Sequence, residues 1–151
     1  MEIGQQPMMQ SLETKIEPST NLIIKLGSNI IDLIFSDSTG NIVEYVQKEF
    51  KEKLSPKKLL KKLDEIINES EINISCVISV KLIVFNKLST LVPKNLFDEK
   101  LSLEYLKFNS KLLKNDFAAN DLIEEIGAVN VFLPFVNVNN YLIDKFGSFH
   151  Y

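Results

Sequence analysis

Two short apolar runs flank a tight polar turn near the start of this chain, in the stretch NLIIKLGSNIIDLIF from Asn21 to Phe35. Apolar runs of about four to eight residues predict strands, and Gly27 to Asn29 predict the turn between them. The turn cluster SDSTGN, which includes Gly40 and its capacity for positive φ, separates the second run from a third, Ile42 to Phe50. The chain therefore begins with a predicted meander of three antiparallel strands.

Helix and strand patterns alternate after the meander. Ser55 and Pro56 form a helix-start signal, in which a capping side chain precedes proline at the first helical position. Apolar residues recur at helical spacing from there to about Glu71. The apolar run from Ile74 to Phe85 predicts a strand, and a further short strand is expected to stop at Pro93.

The last third of the chain adds two helices and one strand. Residues 98–109 predict a helix, residues 115–127 a loop with a short turn, residues 128–135 a strand, and a final helix ends at Gly147. The predicted fold class is therefore α/β. Its ribonuclease H-like order is β-β-β-α-β-α-β-α, with a mixed sheet flanked by helices.

Length and apolar patterning limit the organisation of the chain. A length of 151 residues suits one domain, which we place at residues 21–151, after a predicted flexible leader of residues 1–20. No run reaches the roughly 18 apolar residues of a membrane helix, and the first residues have no apolar signal core. We therefore expect a cytoplasmic protein with no membrane partner.

The absence of arginine narrows the function classes. All 17 basic residues are lysines, and the net charge is −3. Bidentate recognition of phosphate or guanine depends on the arginine fork, so an arginine finger in cis is excluded. A lysine cluster could form a nucleic-acid patch, but acidic residues interrupt it, so a solvated helix face is favoured and nucleic acid is an unlikely partner. The cluster comprises Lys48, Lys51, Lys53, Lys57, Lys58, Lys61 and Lys62.

The turn after the first strand is the place to look for a nucleotide-binding pattern in the sequence. In actin-like ATPases and sugar kinases an aspartate precedes a Gly-Ser or Gly-Thr pair at this place and holds magnesium or its waters. Gly27 and Ser28 match the pair, but Lys25 stands where the acid is expected, and a lysine cannot ligate a cation. We therefore expect no metal, no cofactor and no catalytic residues. We also expect the strand end to tolerate Lys25→Asp. The alternative is a nucleotide-binding site at Gly27 and Ser28.

The sequence lacks the catalytic residues of two other classes of enzyme. Ribonuclease H-type nucleases need carboxylates that begin on the first strand, and NLIIKL has none. The single histidine, His150, has no serine or cysteine partner in a recognisable motif.

The aromatic end of the chain offers a different function, because Phe149 and Tyr151 follow the final helix and are candidates for an interface. The alternative is a tail that folds back on its own core.

Three segments resemble a known family. Thr90 to Asn109, Gly127 to Phe135 and Asn21 to Val43 are similar to segments of an uncharacterised bacterial family, domain of unknown function 3822. The motif Leu-Val-Pro-x-x-Leu-Phe at 91–97 is the most specific of them. The resemblance covers about Asn21 to Tyr151.

This resemblance implies the actin-like, sugar-kinase and Hsp70 superfold, in which two ribonuclease H-like halves hold a nucleotide between them. It implies no catalytic residue, because the family has no established activity. Family chains typically continue into a second half, so the natural gene could encode a second half-domain. We expect a non-catalytic protein-interaction or scaffold module with a protein partner or a homo-oligomer. The alternative is a nucleotide-binding, ATP-sensing protein without efficient hydrolysis.

Overall fold

The structure, a computed structural model, describes residues 19–108 and 110–151. Groups of strands are separated by single helices in these residues, with short 3-10 turns between several of the elements. The elements are β1 (Thr20–Gly27), β2 (Ile30–Asp37), β3 (Ile42–Glu49), α1 (Pro56–Glu69), β4 (Val77–Phe85), β5 (Ser89–Pro93), α2 (Ser102–Lys107), β6 (Ala119–Ile123), β7 (Ala128–Phe132) and α3 (Val136–Phe146).

The first four strands form sheet A, in the order β3-β2-β1-β4. The meander β1-β2-β3 is antiparallel, as predicted, whereas β1 and β4 are parallel. Gly40 has a φ of 89° in the turn between β2 and β3, which explains the glycine there. Sheet A is therefore mixed, with a local antiparallel side and a parallel pair that the chain reaches through α1.

One face of sheet A carries the main hydrophobic core. Alternate residues of β1, β2 and β4 point to this face and pack against α1 and α3. Helix α1 starts where the sequence predicts, because the Ser55 Oγ accepts a hydrogen bond from the amide of Lys58 and Pro56 follows the cap. The fully buried members of this core include Leu22, Ile24, Leu26, Ile31, Leu33, Phe35, Leu59, Leu63, Leu82, Val138 and Leu142.

The strands after β4 form a separate antiparallel sheet B, in the order β5-β7-β6, with α2 packed against β5 and β7. The prediction of only a loop and a short turn at 115–127 is wrong, because Ala119–Ile123 forms β6 and pairs with β7. A 3-10 turn and Gly127, at a φ of 59°, connect the two strands. The α/β class is confirmed, and β5 is the predicted short strand that stops at Pro93, whereas β6 adds a strand to the predicted element order.

Two predicted boundaries move by a few residues. Strand β7 ends at Phe132 and not at Phe135: the Leu133 amide still donates to the Leu88 carbonyl, but Pro134 has no amide proton with which to continue the pairing. Strand β1 begins at Thr20, and residues 1–18 of the predicted leader lie outside the described residues. In the described part, no helix is long and apolar enough to cross a membrane.

A polar network joins the two helices that cover sheet A. The Asp64 carboxylate accepts a hydrogen bond from the Tyr141 hydroxyl at 2.7 Å and from the Lys145 ammonium at 3.0 Å. Lys145 also donates to the Asn68 side chain at 2.8 Å. The Tyr141 bond, followed by the Lys145 bond, lowers the pKa of Asp64, while partial burial raises the pKa of Tyr141. This network fixes α3 against α1.

We expect Tyr141→Phe to lower the free energy of unfolding by about 1–2 kcal/mol, because it removes a hydrogen bond to a charged, partly buried carboxylate. Urea unfolding measures the change. Tyr45→Phe is the matched control, since Tyr45 is exposed on the opposite side of sheet A. An equal loss in both variants would contradict a stabilising role for the network.

The turn between β2 and β3 contains an unusually well-satisfied carboxylate. Asp37 accepts hydrogen bonds from the amide and hydroxyl of Thr39 at 2.9 Å and 2.6 Å, and from the amide of Asn41 at 3.0 Å. The Thr39 hydroxyl, then the Asn41 amide, lowers the pKa of Asp37 from 3.8 to about 2. The ionised carboxylate is thus part of the turn.

The depressed pKa of Asp37 predicts a specific pH dependence. The carboxylate stabilises the turn above the unfolded pKa of about 4, and this contribution is lost as the pH falls through about 2. NMR titration of the Asp37 side-chain carbon should give the folded-state pKa. Asp37→Asn should remove this part of the pH dependence of unfolding, and a midpoint near 3.8 in the wild type would contradict the assignment.

Candidate functional site

The parallel pairing of β1 with β4 brings the carboxyl ends of both strands to one end of sheet A. Gly27 lies opposite Phe85, and the turn of Ser28 and Asn29 follows directly. A Cβ atom on Gly27 would lie 2.8 Å from the Ile30 Cγ2 and 3.0 Å from the Phe85 carbonyl oxygen. Glycine is therefore favoured here by the close approach of Ile30 and of the β4 backbone, without any need for a phosphate.

Lys25 is held by an acid on the neighbouring strand. Its Nζ lies 3.2 Å from the Asp32 Oδ2 and 5.2 Å from the centre of the Phe85 ring. Asp32 is only 5% exposed, and its Oδ1 has no hydrogen-bond partner among the described residues. The Lys25 ammonium at the end of β1 is thus already paired with Asp32. Without this partner, the buried Asp32 carboxylate would destabilise the fold.

This ion pair changes the sequence-based expectation that Lys25→Asp is tolerated. We now expect Lys25→Met to lower the free energy of unfolding by about 1–3 kcal/mol, since it leaves a buried carboxylate unpaired. Lys25→Asp should cost more, because two carboxylates would then face each other across β1 and β2. Urea unfolding measures both variants.

The double variant Lys25→Met/Asp32→Leu is the control for this pair. Removing both charges leaves no buried carboxylate without a partner, so most of the lost stability should return. If Lys25→Asp were as stable as the wild type, the pair would have no structural role.

The second face of sheet A, which we call the open face, has no helix packed on it in the described part of the chain. Strand alternation places one set of residues on this face, opposite the core. Tyr45 is 53% exposed, Ile83 46% and Phe85 61%, while Ile23 and Ile34 are half-buried between them. The Lys25–Asp32 pair lies at its centre, and the registers also place Gln47 and Lys81 on this face, so the open face combines exposed apolar side chains with polar ones.

A cavity of about 520 Å³, which we call the turn cavity, lies at the carboxyl ends of β1 and β4. Its lining combines apolar side chains with lysines and amides. The lining residues are Ser28, Asn29, Lys53, Phe85, Asn86, Lys87, Leu88 and Phe135. Ser28 is the predicted nucleotide-binding residue that the structure places in this cavity; Gly27 lies next to it in the chain.

The aromatic end of the chain packs on its own fold. Tyr151 and Phe149 are half-buried, and the Tyr151 ring makes edge-to-face contacts with Phe132 at 5.1 Å and Phe149 at 5.3 Å. The Asn139 amide donates to the Tyr151 hydroxyl at 2.6 Å. The backbone of His150 pairs in parallel with β4 at Lys81. An interface role for Phe149 and Tyr151 stays a prediction.

Neither the lysine cluster nor the acidic residues converge on a further centre. Lys61 and Lys62 of α1 lie 3.9 Å and 2.6 Å from the Glu65 carboxylate on an exposed side of the helix. Within residues 19–108 and 110–151, no three His, Cys, Asp or Glu side chains group as metal ligands would.

Sequence reasoning missed Asp32, Lys53, Lys87 and the position of Phe85. Asp32 had a usable signal, since Lys25 and Asp32 stand symmetrically about the two-residue turn Ser28–Asn29 and so face each other in a hairpin. Lys53 and Lys87 had none, because their approach to one cavity depends on the parallel pairing of distant segments.

The arrangement of sheet A and its helices is that of a known fold. The structure is similar to the crystal structure of a Bacteroides thetaiotaomicron protein with an actin-like ATPase fold and unknown function, with a TM-score of 0.73 and 18% sequence identity. The similarity covers 88% of this chain and 51% of that one, so this chain spans about half the length of the solved structure. The chain therefore has an actin-like fold.

The family follows from the sequence match. Residues 9–151 match the model of the family described as protein of unknown function DUF3822, and the chain belongs to that family. The predicted resemblance is confirmed. A comparison with curated proteins finds no match.

Proposed function

We propose that this domain is a non-catalytic protein-interaction module that binds a protein partner through the open face of sheet A. The observation that supports the proposal is the exposure of Tyr45, Ile83 and Phe85 on one continuous sheet surface. Exposed apolar patches of this kind mark interaction sites, because water contact with large apolar side chains is unfavourable.

The parallel pairing of β1 and β4 adds a second reason. Parallel strands are normally buried on both faces, since their connections cover the sheet. In the described part of the chain, the pair has its core on one side only, formed with α1 and α3. A partner on the open face would give these strands the burial that parallel pairs usually have.

The ion pair at the centre of the open face would orient such a partner. The Lys25 side chain is 37% exposed, so its ammonium can still donate to a carbonyl or carboxylate on a partner while it remains bound to Asp32. Its engagement with Asp32 also supports a role without catalysis, because the actin-like pattern has an acid at this place. Binding of ATP beside Gly27 and Ser28 remains the alternative hypothesis.

Charge substitutions on the open face test the proposal. We expect the wild-type chain to associate as its concentration rises from micromolar to millimolar, and Ile83→Lys and Tyr45→Lys each to weaken that association about tenfold or more, because they bury an ammonium in an apolar contact. Sedimentation velocity measures the association.

Leu113→Lys is the matched control, because Leu113 is also exposed but lies in the loop before β6. Association that is weakened equally by Leu113→Lys would show a non-specific apolar effect. A wild-type chain that stays monomeric throughout would exclude self-association and leave only a different protein as partner. Circular dichroism confirms that each variant is folded.

A further inference from the structure

We propose that the turn cavity binds a small organic anion with an apolar body, of the class of aromatic carboxylates. This site is separate from the proposed interaction function, and only Phe85 belongs to both surfaces. The lining of the cavity defines the class of ligand through its size, its apolar side chains and its unpaired charges.

The cavity has the size and lining of a small-molecule site. Its volume of about 520 Å³ is within the roughly 300–1,000 Å³ that ligand pockets span. Phe85, Leu88 and Phe135 give it an apolar lining, and the first two are exposed in the described structure. An apolar ligand body would cover these side chains, and the two phenyl rings favour an aromatic one.

The charges at the cavity select an anion. Lys53 and Lys87 line it, and neither has an ion-pair partner among the described residues. No acidic side chain lines the cavity. Two unpaired ammonium groups beside an apolar surface complement a ligand with an anionic head and an apolar body.

Hydrogen bonds hold the two walls of the cavity in place. On one side, the amides of Phe50 and Leu54 donate to the carbonyls of Asn29 and Ser28 at 2.8 Å and 2.7 Å, which positions Lys53 beside the turn. On the other side, the Asn86 side chain donates to the Leu133 carbonyl at 2.9 Å. It also accepts from the amide of Leu88 at 2.8 Å.

The same groups favour a single carboxylate over a triphosphate. Lysine offers a point charge on a flexible stem and lacks the fork with which arginine binds two oxygens of a phosphate. Two such ammonium groups can each donate to one oxygen of a single carboxylate, whereas several phosphate groups would leave much of their negative charge unpaired. The side-chain amide of Asn86 bonds to Leu133 and Leu88 and so helps to fix the wall, which leaves the two lysines as the charged donors of the cavity.

NMR titration of the 151-residue chain with 1-naphthoate tests the proposal. We expect saturable shifts in the backbone amides of Asn29, Leu88 and Phe135. The double variant Lys53→Gln/Lys87→Gln should raise the dissociation constant about fivefold or more, since it removes both charges but keeps a polar, slightly shorter side chain at each position. The neutral analogue 1-naphthalenemethanol should bind the wild type more weakly and bind both proteins equally.

Lys111→Gln/Lys114→Gln is the matched control, because these two lysines also have no ion-pair partner among the described residues but do not line the cavity. The affinity of this variant for 1-naphthoate should equal that of the wild type. Equal affinity in the Lys53→Gln/Lys87→Gln variant, or no saturation, would overturn the proposal. Shifts centred on Tyr45 and Ile83 would place the probe on the open face and overturn it as well. If ATP displaces 1-naphthoate at a concentration lower than the one at which 1-naphthoate itself binds, the cavity is a nucleotide site instead. Ile83→Lys should leave naphthoate binding unchanged, so failure of the interaction proposal does not affect this test.

Discussion

The parallel pairing of β1 with β4 is the constraint on which the rest of the structure depends. It joins segments that are distant in the sequence, and its register sets Gly27 against Phe85. A larger residue at that position would crowd the backbone of β4. The tight packing of the two strand ends therefore explains why the residue is glycine. The same register brings the turn at Ser28 beside the one at Lys87 and so forms the turn cavity.

The charge pattern on sheet A follows from that packing. Because the core occupies one face, the alternation of β1 and β2 puts Lys25 and Asp32 on the other face. The two residues are directly opposite each other there and form an ion pair. A lysine in place of an acid thus has a structural explanation within this chain. The pair also keeps the open face from being uniformly apolar, which favours specific contacts over general adhesion.

Local signals predicted much of the fold, and distant pairings account for what they did not predict. The meander, the start of α1 and the glycines at 40 and 147 follow from residues that are close in sequence. Strand β6 is short and contains Asn120 and Asp121, and its extended state depends on pairing with β7. Of the two candidate site residues, Ser28 lines the turn cavity and Gly27 is next to it in the chain, and their role stays a prediction. The lysines of the cavity could not be grouped from the sequence, since their meeting depends on tertiary structure.

The separation of β4 from β1 along the chain has a consequence during biosynthesis. The meander is synthesised before Val77, the first residue of β4, so β1 lacks its parallel partner until β4 has been added to the chain. Its local hairpins can form quickly, whereas the parallel pair must await the intervening helix. A chain without β4 has both a bare strand edge and an uncovered apolar surface, and these two features favour aggregation until β4 pairs with β1.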